Sequence, residues 1–96
     1  MENNKYHILI VEDDKEIRDG VEIYLKNQGY QVWKAANGKE GLEIVAQEEI
    51  HLAILDIMMP VMNGMDMCKT LKEDLRTSHI PVVLLTAKDS LQDKEE

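Results

Sequence analysis

Short apolar runs that stop at acidic residues alternate along this chain with segments of helical period, and that alternation leaves few folds open. His7 to Val11 reads His-Ile-Leu-Ile-Val and gives way at once to Glu12, Asp13 and Asp14, as a central parallel strand covered on both faces would. Ile17, Val21, Tyr24 and Leu25 then fall on one face of a helix that stops at Asn27 to Gly29. Tyr30 to Ala35 is a second strand, and its polar interruptions Gln31 and Lys34 place it at a sheet edge. Asn37 and Gly38 close it. Leu42, Val45 and Ala46 mark a second helix. Leu52 to Leu55 is a third strand, apolar until Asp56 breaks it, and the loop Met58 to Gly64 follows. Met65, Cys68, Leu71 and Leu75 give a third helix and read as its core stripe. Pro81 to Leu85 is a fourth strand with its proline at the start, and Ser90 opens a fourth helix.

Strand and helix alternating in this way imply right-handed βαβ units and a parallel sheet wrapped by helices on both sides, the doubly wound α/β class. In such sheets ligands bind beyond the C-terminal ends of the strands, and the carboxylates of this chain sit at those ends. The sequence has 96 residues, a size for one small domain, with no linker or repeat from Tyr6 onward. A formal charge of −8 argues against nucleic acid or a membrane surface as the partner of this segment, since both require a basic face, and favours a cation. No run approaches the length of a membrane span and Met1 to Tyr6 is too polar for a signal peptide, so the chain reads as cytoplasmic. Cys68 is the single cysteine and cannot form an internal disulfide; it reads as a small core residue. His7, His51 and His79 lack metal-ligand spacing and read as solvated or hydrogen-bonded, and Trp33 as packing.

Glu12 and Asp13 leave the first strand and Asp56 leaves the third, so three carboxylates converge if those strands are neighbours. Two carboxylates about 4 Å apart repel by roughly 4 kcal/mol at an effective dielectric near 20, enough to raise one pKa strongly or to demand a metal. Oxygen-only ligation suits magnesium. Asp13 with Glu16 three residues later also forms a capping-box pattern for the first helix. Asp56 has no capping role at a strand end, and burying it would be costly unless it were used or paired.

At this point the residues resemble a known family, the receiver domains of response regulators. The strand Ile-Leu-Ile-Val followed by Glu12 and Asp13 looks like the family's acidic pair, and Leu-Asp-Ile-Met-Met-Pro around Asp56 looks like its phosphoacceptor segment. Asn63-Gly64 stands where its loop glycine does, and Leu-Leu-Thr86-Ala87 is similar to the end of its fourth strand. Four ordered motifs at consistent spacing make a specific signal. The resemblance implies a flavodoxin-like sheet of strand order 2-1-3-4. It implies that Asp56 takes a phosphoryl group from the phosphohistidine of a sensor histidine kinase. It also implies magnesium or manganese held by Asp13 and Asp56, by Glu12 through water and by the backbone carbonyl of Met58, with Thr86 contacting the phosphoryl group as a switch. On this reading the domain is a signalling phosphoacceptor rather than an enzyme acting on other substrates.

The family pattern continues into a fifth strand, carrying a lysine, and a fifth helix, about 25 residues more on ordinary element lengths. This sequence stops at Glu96 inside the fourth helix, and Lys88 is not that lysine. The expectation is therefore one receiver domain over residues 1–96, truncated within helix four, with an exposed strand-four edge that favours self-association and slowed phosphotransfer. Up to Asp56 the chain looks like the receivers of transcription factors, and after it like receivers fused to sensor kinases. Two rivals remain. A receiver-derived scaffold that self-associates would keep the acids without signalling. A phosphohydrolase of the haloacid dehalogenase type would place a second aspartate where this chain has Met58. A dinucleotide site fails because Glu12-Asp13-Asp14 would repel a pyrophosphate.

Overall fold

The computed structural model describes residues 6–57 and 63–85. The elements run β1 (His7–Val11), α1 (Lys15–Asn27), β2 (Gln31–Ala35), α2 (Gly38–Gln47), β3 (Leu52–Asp56), α3 (Gly64–Glu73) and β4 (Val82–Leu85). All strand pairs are parallel and the sheet order is β2-β1-β3-β4. This is the doubly wound class expected from the alternation of runs, in the strand order the resemblance implied, with the broken strand β2 at an edge. The expected Met58, Thr86, Lys88 and fourth helix lie outside the described residues.

Local chemistry ends each helix where the turn residues stand. Asp14, not Asp13, caps α1: its carboxylate accepts from the amides of Glu16 and Ile17. The capping-box reading of Asp13 with Glu16 is thus corrected: the cap is Asp14, whose third residue on is Ile17, and Asp13 is exposed. Gly29 closes α1 with φ of 96°, and the amides of Gly29 and Tyr30 return to the carbonyls of Lys26 and Leu25, the six-to-one closure that a left-handed residue permits. Asn37 and Asn63 cap α2 and α3.

The main core lies on the α2–α3 side of the sheet. Leu9, Val11, Ala53 and Leu55 meet Ile50, Met67, Leu71 and Ile80, all buried. Burying side chains of this size contributes about 1.5–3 kcal/mol each. Gly41 lets α2 approach: a β-carbon there would stand 2.7 Å from the Met67 thioether methyl and 2.8 Å from Val11. The stripe expected for α3 is corrected by this packing. Met65 is exposed, Cys68 is half-buried, and Leu75 falls beyond the helix end and is 91% exposed, whereas Met67 and Leu71 face the core. On α1, Ile17, Val21 and Leu25 are half-buried as expected, but Tyr24 is exposed and the helix buries no residue fully. Trp33 packs against the core, as its strand position suggested.

Candidate functional site

β1 and β3 are neighbours in register, Val11 opposite Leu55, so the residues that follow them emerge side by side at the C-terminal edge of the sheet. One carboxylate oxygen from each of Glu12, Asp13 and Asp56 lies within 4.8 Å of the other two. The three acids singled out from the sequence are thereby brought together. Glu12 and Asp56 are each 2% exposed, and Asp13 is open to solvent.

The turn carrying Glu12 is held from four directions. Its amide donates to the Ala35 carbonyl at 3.1 Å, which ties the turn to β2. Its own carbonyl accepts from the Arg18 guanidinium at 2.6 Å, and its carboxylate accepts the Asp14 amide at 3.0 Å. The carboxyl also bonds to the side chains of Asp56 and Asp13. Arg18 is the residue sequence reasoning missed. A lone arginine in the first turns of a helix looks like any solvated charge, and only the folded turn shows what it grips.

Asp56 is the last residue of β3, and its backbone is covered by the first residue of α3. The Gly64 amide donates to the Ile57 carbonyl at 3.2 Å, and a β-carbon on Gly64 would meet the Asp56 carbonyl oxygen at 2.6 Å. Glycine is the residue that fits so near a strand backbone. The loop glycine noted in the sequence therefore acts as a spacer for the acid.

Electrostatics follow from this crowding. Burial is the first cause that raises the Glu12 carboxyl to about 7 from its ordinary 4.5. The Asp14 amide opposes it, while the bonds to Asp56 and Asp13 and the Asp56 charge add to it. Three carboxyls crowded on one volume repel one another, and a bound cation would relieve that repulsion. The donor set is all oxygen and converges on one volume from two strands, which fits a hard divalent ion such as magnesium. His7 and His51 lie at the other end of the sheet and hydrogen-bond to neighbours, as expected.

Residues 8–96 match the family described as the response regulator receiver domain. The regulatory protein VanR of Enterococcus faecium is 48% identical over 88 residues, 91% of this chain and 36% of VanR. Histidine kinase P4 of Formosa agariphila is 47% identical over 90 residues, 94% of this chain and 6% of the kinase. The chain thus spans about a third of one relative and a small fraction of the other. Among solved structures, the signal receiver domain of a signal transduction histidine kinase from Syntrophus aciditrophicus superposes with a TM-score of 0.81 at 33% identity, covering 94% of this chain and 71% of that one. Regulators and kinases alike align with the chain across both of its halves, and the sheet order and acidic cluster are those the resemblance implied: this chain belongs to the response regulator receiver domain family.

Proposed function

We propose that Asp56 is the phosphoacceptor and that the phosphoryl donor is the phosphohistidine of a sensor histidine kinase. The observation that carries this reading is the meeting of Glu12, Asp13 and Asp56 at adjacent strand ends. A carboxylate oxygen of Asp56 attacks phosphorus as the phosphorus–nitrogen bond of the donor breaks, and the electron pair returns to the imidazole nitrogen. Asp13 and Asp56 would hold magnesium or manganese, with Glu12 acting through water and the Met58 carbonyl as a further oxygen donor. The ion, when bound, supplies positive charge against the phosphoryl oxygens. Arg18 and the Asp14 amide hold the Glu12 turn in place beside Asp56. Thr86 is the proposed contact to the attached phosphoryl group.

The partners proposed are the kinase and a second copy of the chain. Among the described residues β4 is paired on one side only, by β3, and Val83 on it is 45% exposed; both support strand-edge association. The charge of −8 argues against direct contact of this segment with nucleic acid. Among the described residues no helix is long and apolar enough to cross a membrane, and a cytoplasmic setting accords with the proposed kinase partner.

Acetyl phosphate with magnesium tests the assignment. Intact mass should rise by one phosphoryl group, hydroxylamine should remove it, and Asp56→Asn should prevent it. A stable phosphate on serine or threonine would overturn the reading.

A further inference from the structure

Parallel pairing of β1 with β3 begins in register at Ile8 and Leu52, and one residue earlier one backbone bond of the ladder is kept and the other is replaced by side chains. The His51 amide donates to the His7 carbonyl at 2.8 Å, an ordinary ladder bond. The His7 amide, however, donates to the Nδ1 of the His51 ring at 2.9 Å. The carbonyl of Glu49 is taken by the His7 ring, whose Nδ1 lies 2.6 Å from it. A carbonyl can only accept, so His7 carries its proton on Nδ1. An amide can only donate, so the Nδ1 of His51 is bare and its proton is on Nε2.

The two rings therefore respond differently to acid. Protonating His7 leaves its Nδ1 a donor and its bond to Glu49 intact. Protonating His51 converts the Nδ1 from acceptor to donor and sets it against the His7 amide, which is a donor too. We propose that His51 is a proton-operated clasp on the first residue of β1: neutral, it completes the sheet, and protonated, it lets the start of the strand go. The groups facing it are the Glu49 carboxylate, 3.6 Å from Nε2, the His7 ring at 5.1 Å and Tyr6 at 5.7 Å. Tyr24 and Tyr30 share with it a crevice of about 470 Å³. Because Tyr6, Ile8 and Leu52 also line that crevice, release alters a surface at the end of the sheet remote from the acidic site.

Nitrogen-15 spectra of the 96-residue chain read the device directly. At about pH 8 the imidazole shifts should show His51 as the Nε2–H tautomer and His7 as the Nδ1–H tautomer. Between about pH 8 and pH 5 the protection factor of the His7 amide against hydrogen exchange should fall roughly tenfold, while that of the Ala53 amide, inside the ladder, stays level. His51→Asn places a carbonyl oxygen near the position of Nδ1 and cannot titrate, so the His7 amide should remain protected across the range. A Nδ1–H tautomer for His51, or the same loss of protection in His51→Asn, would refute the clasp.

Discussion

Gly64 and Asp56 touch through their backbones: the space where a Gly64 side chain would begin lies 2.6 Å from the Asp56 carbonyl oxygen. That carbonyl belongs to a strand and cannot step aside as the tip of a long side chain could. Gly64→Ala should therefore push the start of α3 away from β3, at about 1–3 kcal/mol of stability. It should also loosen the setting of Asp56, so that weaker magnesium binding accompanies the lower melting temperature. Calorimetry on the variant, with and without magnesium, measures both.

Asp13 and Asp14 are adjacent in sequence and separable in role. Asp14→Ala removes a helix cap and should lower stability by about 1 kcal/mol, leaving intact the rise in melting temperature on adding magnesium. Asp13→Ala should do the reverse, abolishing the magnesium response while leaving the α1 cap in place, since the cap is Asp14. Thermal melts of the two variants across a magnesium series distinguish the outcomes. An unchanged magnesium response in Asp13→Ala would remove that residue from the site.

The Glu12 carboxyl gives a pH dependence of definite sign. Its folded value near 7 lies above the ordinary 4.5, so the folded state binds the extra proton. The stabilisation is fully present below about 4.5 and is lost as pH rises through about 7. In chelator, the melting temperature of the wild type should drop relative to Glu12→Gln between those values. Saturating magnesium should reverse the trend by favouring the ionised acids. A constant gap between the two proteins in chelator would show that Glu12 does not titrate in this window.

Two glycines in helices should respond oppositely to alanine. Around Gly20, on the exposed side of α1, no atom lies within 4 Å of an added β-carbon, so Gly20→Ala should stabilise by about 0.5–1 kcal/mol through helix propensity alone. Gly41→Ala would crowd Val11 and Met67. Met67 has a flexible tip and Val11 does not, so a loss of about 1–3 kcal/mol is expected. Urea titrations of the pair measure the difference.

The strands were legible in the sequence to within one residue, because a buried parallel strand must be apolar throughout and stops visibly where an acid or turn residue enters. Asp56 was legible for the same reason. The buried faces of the helices were less so. Met65 and Met67 are equally apolar, and it is Met67, four residues before Leu71, that shares the buried face, with its thioether methyl beside Gly41. The capping acid was misplaced because Asp13 and Asp14 offer the same chemistry one residue apart, and only the backbone angle at the start of α1 distinguishes them. The exchange of bonds between His7 and His51 left no pattern to read, since it joins residues 44 positions apart.

The register of the sheet has one more mechanical meaning. Asp56 is opposite Leu85, the last residue of β4, and the amide of Ile57 donates to the Leu85 carbonyl at 3.2 Å. The acid and the exit of the neighbouring strand are thus two teeth of one rack, indexed by backbone bonds that do not depend on which side chains stand there. Any displacement of the Asp56 main chain is delivered to the point where the chain leaves β4 without crossing a helix or a loop. Side-chain substitutions in the helices can change how stable this coupling is, but they leave its gearing as the ladder sets it.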